Sequence, residues 1–118
     1  MWEIEFFEKE NGRCPVAEFL SELSPKKDLP YIDNAFSMLE EHGYQLRRPH
    51  CDYLRDDIYE LRIKTLNGRF RFFYFFFDKN RIVITHGISK KTRVVEPKEI
   101  GRAIEYRAVY FSKNENNR

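Results

Sequence analysis

Residues 59–77 read Tyr59-Glu60-Leu61-Arg62-Ile63-Lys64-Thr65-Leu66-Asn67-Gly68-Arg69-Phe70-Arg71-Phe72-Phe73-Tyr74-Phe75-Phe76-Phe77. After the polar break Asp78-Lys79-Asn80 the chain resumes as Arg81-Ile82-Val83-Ile84-Thr85-His86-Gly87-Ile88-Ser89-Lys90-Lys91. Asn67-Gly68 stands between two β-prone runs, and a type I′ turn needs positive φ at both central residues, which Asn and Gly accept best. The stretch is thus a predicted hairpin closing on those two residues, with Lys64 opposite Arg71, Ile63 opposite Phe72 and Arg62 opposite Phe73. Strand side chains alternate between faces, so Tyr59, Leu61, Ile63, Phe70, Phe72, Tyr74 and Phe76 form one apolar face. Arg62, Lys64, Arg69 and Arg71 occupy the other.

The break at residues 78–80 predicts an antiparallel return, with Phe77 near Ile82 and Phe73 near His86. His86 then joins the basic face, and three cations and an imidazole come within reach of one phosphate. A solvated sheet face is ordinarily polar, so basic residues there need no function by themselves. Their distribution is the stronger signal. Residues 62–93 hold nine Lys or Arg and one acidic residue, whereas residues 1–61 hold seven against fourteen, in a chain whose net charge is +2. A nearly neutral protein that sorts its charge this way presents a positive surface suited to a polyanion.

Outside that stretch, the 118 residues with 42% hydrophobic and 16% aromatic content predict one packed domain. Charged residues make up 34% of the chain, and no apolar run approaches the length of a membrane span. Glu3, Glu5 and Glu8 interrupt any signal-peptide pattern, so the expected location is the cytoplasm. Cys14 and Cys51 have no close-spaced partner, and His42, His50 and His86 are scattered, so neither a metal nor another cofactor is expected. No phosphate-binding glycine loop, nucleophile elbow or HExxH pattern occurs.

Taken in order, Trp2, Ile4 and Phe6 alternate with Glu3 and Glu5, predicting an edge or near-edge strand. Pro15 followed by Val16, Phe19, Leu20 and Leu23 predicts a short amphipathic helix. A second helix starts at Ser24-Pro25 or, given Pro30, at Asp28; it carries Ile32, Ala35, Phe36 and Leu39 and stops at Gly43. Residues 44–57, with Arg47, Arg48, Pro49 and His50, read as a loop. Phe75 and Phe77 are expected under a C-terminal helix, while Phe73 could stack on a base. Pro97 and Glu99 start that helix, whose stripe is Ile100, Ala103, Ile104, Ala108 and Phe111; residues 112–118 are expected to fray. The predicted class is α+β: a strand, a helical pair, a three-stranded antiparallel meander completing a small twisted sheet, and a final helix.

This order of elements, with Tyr59-Glu60-Leu61-Arg62, Gly68, Phe70-Arg71-Phe72-Phe73-Tyr74, His86-Gly87-Ile88-Ser89-Lys90-Lys91-Thr92, Pro97, Glu99-Ile100 and Ala103, resembles the RelE/ParE superfamily of toxins from type II toxin-antitoxin systems, in particular its phage-derived, HigB-like branch. The resemblance implies a RelE-like domain over residues 1–118 and an endoribonuclease that cuts mRNA on the translating ribosome. A cognate antitoxin, usually a helix-turn-helix protein, would silence it. The family's catalytic cations map onto Arg62, Arg71 and Lys90 or Lys91, and Lys64, Arg69, Phe73 and Arg93 are the expected RNA contacts around them.

The chemistry implied uses the RNA 2′-hydroxyl as nucleophile, so the protein has to orient the backbone and stabilise charge on the phosphorane. His86, with an ordinary pKa of about 6.5, is the candidate acid or base among the residues. Relatives also use lysines or a C-terminal tyrosine, which makes Tyr106 and Tyr110 candidates as well. The relatives' C-terminal motif has no counterpart in Phe111-Ser112-Lys113-Asn114. Two alternatives therefore stand beside the nuclease: a non-catalytic module binding RNA or protein, and a gyrase-directed toxin.

Overall fold

A computed structural model describes residues 1–23, 26–90 and 95–115. Strand β1 (Glu3–Phe6) leads to helix α1 (Pro15–Glu22) and helix α2 (Leu29–His42), then to strands β2 (Cys51–Arg55), β3 (Ile58–Lys64), β4 (Arg69–Phe77) and β5 (Arg81–Ser89), and ends in helix α3 (Pro97–Glu115). The class is α+β, as expected. The sheet is larger than the expected meander, having five strands in the order β1-β5-β4-β3-β2, with β1 parallel to β5 and the others antiparallel. No helix among the described residues is long and apolar enough to cross a membrane.

The added strand is β2, in the segment read as a loop. Its hairpin to β3 closes on Asp56-Asp57, at φ of 52° and 62°, with Arg55 paired to Ile58. Those are the two positive φ values of a type I′ turn, carried by a pair of aspartates instead of Asn-Gly. The turn at Asn67-Gly68 is of another kind, and neither residue has positive φ. Lys64 pairs with Arg69 there, and the Thr65 hydroxyl accepts the N–H groups of Asn67 (3.1 Å) and Gly68 (3.2 Å). The register consequently differs from the expected one: Arg62 pairs with Arg71, Ile63 with Phe70 and Leu61 with Phe72. A shift of two positions leaves every side chain on its predicted face.

The two faces are both covered. On one, α1 and α2 place Val16, Leu23, Ile32, Ala35 and Leu39 against Leu61, Ile63, Phe70, Phe72, Tyr74, Ile82 and Ile84. Asp28 precedes α2 directly and Gly43 ends it, at φ +52° with its Cα beside the Trp2 indole. On the other, α3 brings Ala103 and Tyr110 over Phe7, Ile58, Phe73, Phe75, Phe77 and Val83. Helix α3 continues through Glu115, past the expected fraying point at residue 112.

Strand β5 keeps one of the two predicted pairings and shifts the other by an irregularity. Phe73 pairs with His86 as expected, but beyond the shift at Phe73/Tyr74 the register moves by one, so that Phe77 meets Arg81 instead of Ile82. Thr85 is the extra residue, and such a bulge lets His86 and Val83 face α3 together. Gly87 lies opposite Phe72, whose Cε1 is 2.5 Å from where a Cβ would sit.

Candidate nucleic-acid interface

The corrected register arranges the α3 side of the sheet as a grid of three rows across β3, β4 and the end of β5. Lys64, Arg69 and Lys90 make the first row: Lys64 pairs with Arg69, and the Lys90 N–H donates to the Arg69 carbonyl at 2.8 Å. Arg62, Arg71 and Ile88 make the second. Glu60, Phe73 and His86 make the third. Directly opposed residues on one face of an antiparallel pair have Cβ atoms about 4.5–5.5 Å apart, so five of the predicted cations are neighbours.

Like charges directly opposite each other are destabilising, and Arg62 and Arg71 are such a pair. Glu60 provides the compensation. It is 1% exposed, its Oε1 accepts from Arg62 Nε at 2.8 Å, and its Oε2 lies 3.6 Å from Arg71 Nε. Asp52 of the neighbouring strand β2 accepts from Arg62 Nη2 at 3.1 Å and from Arg48 Nη2 at 3.0 Å. Arg62 is therefore held by two carboxylates. Arg71 has an ion pair without a hydrogen bond, since its buried Nε and the facing Glu60 Oε2 are both unbonded. Burial lowers the Arg71 pKa, Glu60 opposes that, and Arg62 and Arg69 add to it. Among the described residues no carboxylate lies within 4 Å of Lys64, Arg69 or Lys90.

His86 lies on the predicted face but not at its open end. It is buried, stacked on Phe73 (4.7 Å, 23°) and edge-on to Tyr106 (5.7 Å, 90°). Its Nε2 is 3.3 Å from Glu99 Oε1 on α3 and its Nδ1 3.0 Å from the Thr85 hydroxyl. Burial pushes the imidazole pKa down to about 4; Glu99 opposes the shift and Arg102, itself 3.2 Å from Glu99, supports it. Near neutral pH the ring is uncharged, and both of its nitrogens are engaged, Nε2 by Glu99 and Nδ1 by the Thr85 hydroxyl. An imidazole so enclosed orders α3 over the sheet and is out of reach of a phosphate on the first two rows.

Other expectations are also corrected. Phe73 is fully buried and cannot be a base-stacking platform. Tyr110 is buried at the far end of the sheet, edge-on to Phe75 and Phe77, with its hydroxyl accepting from Arg81 Nη1 at 2.8 Å. Burial raises its pKa, and it has no contact with the cation rows. Tyr106 stacks on Phe7 (4.7 Å, 21°). Lys91 and Arg93 lie outside the described residues, as does the Ser24-Pro25 helix start.

Glu60 and Asp52 are the members of this surface that the sequence reading missed. Glu60 was identifiable: it is two residues from Arg62 on the same strand, and so necessarily on the same face. Asp52 required knowledge of β2.

Lys64 and Arg69 are exposed and Arg62 is partly so, whereas Arg71 and Lys90 are buried, at 7% and 8% exposure. A cavity of about 690 Å³ lies at the edge of the sheet between β2 and the end of α2, lined by aromatic rings and by Arg47 and Arg48. No curated protein matches the chain. A family model described as "Phage derived protein Gp49-like (DUF891)" matches residues 18–108, from within α1 to within α3, and so takes in every element of the grid. The chain belongs to this Gp49-like family of phage-derived proteins.

Proposed function

We propose that the chain is the toxin of a type II toxin-antitoxin pair, an endoribonuclease that cuts mRNA on the ribosome and is silenced by a helix-turn-helix antitoxin. The observation that carries this reading is the pair Arg71 on β4 and Lys90 directly after β5, neighbours in a basic cluster and neither hydrogen-bonded to a carboxylate among the described residues. Membership of a phage-derived family, and the resemblance to RelE-like toxins over the same elements, support it.

In this reading the scissile phosphate sits on the first two rows. Arg71 donates to its non-bridging oxygens, and Arg62, aimed by Glu60 and Asp52, contacts the adjoining backbone. The 2′-oxygen attacks phosphorus, the bond to the 5′-oxygen breaks, and a 2′,3′-cyclic phosphate and a free 5′-hydroxyl result. The 2′-hydroxyl proton passes to solvent, and the Lys90 ammonium gives a proton to the departing 5′-oxygen. Fixed cations already in place when charge builds on the phosphorane lower the barrier without reorganisation; loss of one such donor costs about 3 kcal/mol, on the order of a hundredfold in rate.

A second reading has its own support. Arg62 is doubly paired, and His86 and Tyr110 are both bonded within the fold, which suits a toxin-like module that binds RNA without cutting it. Induced expression followed by primer extension of cellular transcripts separates the two. The nuclease gives new 5′ ends inside coding regions and growth arrest, both abolished in a folded Arg71→Ala/Lys90→Ala variant. Full toxicity in that variant would overturn the site, arrest without new ends would favour the binding module, and DNA damage with intact mRNA would indicate a gyrase-directed toxin.

A further inference from the structure

We infer that the aromatic cleft at the β2 edge is a second RNA subsite, which takes a nucleobase of the single strand whose phosphate lies on the cation rows. The inference rests on the proposal that RNA is the ligand of this protein.

The cleft is built from two stacked ring pairs set roughly at right angles. Tyr44 lies on Phe76 (3.7 Å, 25°), Tyr59 lies on Tyr74 (5.4 Å, 19°), and Tyr59 meets Phe76 edge-on at 86°. Tyr53 closes the β2 side, edge-on to Tyr59 at 5.2 Å. Its volume of about 690 Å³ is within the range of small-ligand sites. Two of these rings are conspicuously uncovered, Tyr44 at 55% and Tyr53 at 50% exposure. Both rings are held in place by other rings, Tyr44 by Phe76 and Trp2 and Tyr53 by Tyr59. Rigid, exposed π-faces around a cleft are what base stacking requires.

The rim decides the charge of the occupant. Arg47 Nη1 donates to the Tyr44 and Leu46 carbonyls, and Arg48 is held in two bonds by Asp52, at 3.1 and 3.0 Å. Two positioned guanidiniums beside an aromatic cage disfavour a cationic ligand such as a quaternary ammonium and favour one that brings a phosphate. Continuity with the proposed cleavage surface gives the same answer. Asp52 bonds Arg48 at the rim and Arg62 on the grid, and Tyr53 stands two strands across and three residues along from Arg71, on the other face, roughly 14 Å away in the plane of the sheet. One extended strand can therefore lie on Arg71 and turn a base over the sheet edge into the cleft.

The test measures affinity for a 2′-O-methyl oligoadenylate, which cannot be cleaved, by fluorescence anisotropy at fixed salt. Tyr53→Ala should weaken binding about tenfold, the usual effect of removing one stacking ring. Tyr53→Phe should bind like the natural chain, and circular dichroism should be native for both. Equal affinity in a folded Tyr53→Ala protein would overturn the inference, and so would an equal loss in Tyr53→Phe, since the ring face would then not be the contact. Transcript mapping distinguishes this from failure of the nuclease reading. Tyrosine-dependent binding without new 5′ ends keeps the subsite and removes the nuclease; new ends with tyrosine-independent binding do the reverse.

Discussion

Glu60→Gln is the most informative single change to the basic surface, because it removes one charge and hardly alters shape. Glu60 is buried, accepts from Arg62 at 2.8 Å, and lies 3.6 Å from an Arg71 side chain that is 8% exposed. Glutamine can still accept from Arg62, but as a neutral group, so a charge-assisted bond worth about 1.5–3 kcal/mol becomes one worth about 1 kcal/mol. Arg71 loses the carboxylate that faces it while Arg62 remains directly opposite. Removing one member of a buried ion pair typically costs about 3–5 kcal/mol. Asp52 still holds Arg62, whose side chain is 30% exposed, which places the expected loss at the lower end, on the order of 3 kcal/mol. For a chain of this length that is a fall in Tm of roughly 10 °C. Urea denaturation at pH 7 measures it, and Arg71→Met supplies the cycle: the double variant should be less destabilised than the two single changes together, because removing Arg71 relieves the repulsion that Glu60→Gln exposes. A Glu60→Gln protein within about 0.5 kcal/mol of the natural chain, together with additive single changes, would refute the claim that this carboxylate holds the two guanidiniums in place.

Two other outcomes follow from the same geometry. The His86 pKa is about 4 when folded and 6.5 as its ordinary value, so the unfolded chain binds more protons between those limits. The stabilising contribution of the neutral ring is complete above about pH 6.5 and is lost as pH falls toward 4, on the order of 3 kcal/mol in all. Urea midpoints compared between the natural chain and His86→Gln should show that slope in the first and not in the second; parallel curves would show that the ring is not the titrating group. Gly87→Ala should lower stability by about 1–3 kcal/mol, because its Cβ would lie 2.5 and 2.7 Å from two atoms of the buried Phe72 ring. Thermal denaturation by circular dichroism is sufficient, and an unchanged Tm would mean that Phe72 can move aside.

What was legible in the sequence was parity, and what was not was register and docking. Tyr59, Leu61, Ile63, Phe70, Phe72 and Tyr74 lie on the helix-covered face as predicted because the two candidate registers of the β3–β4 hairpin differ by an even number of positions. Asn67-Gly68 suggested the wrong turn because the Thr65 hydroxyl, accepting two backbone N–H groups, makes a turn that needs no positive φ. Strand β2 was hidden for a complementary reason. Its turn uses Asp56-Asp57 in the left-handed region, where aspartate is tolerated but gives no strong sequence signal. The burial of His86 could not be read from local pattern, since it depends on where α3 sets down Glu99 and Tyr106.

These corrections change the physical character of the basic surface. In the expected register Arg71 would have faced Lys64 and Arg62 the neutral Phe73, leaving the two guanidiniums as diagonal neighbours. In the observed one the sheet sets two guanidiniums directly opposite, and it retains them by burying a carboxylate whose second oxygen and the Nε facing it are left unbonded at 3.6 Å. Closing that gap by about 0.7 Å would make an ordinary hydrogen bond. A fold under selection for stability alone would close it, or replace the cluster with apolar side chains at little loss. If, as proposed, an RNA phosphate binds the first two rows, its charge offsets that of Lys64, Arg69 and Lys90, which have no carboxylate within 4 Å among the described residues. Ligand-dependent stabilisation is the consequence, and it should grow as the anion concentration exceeds its dissociation constant.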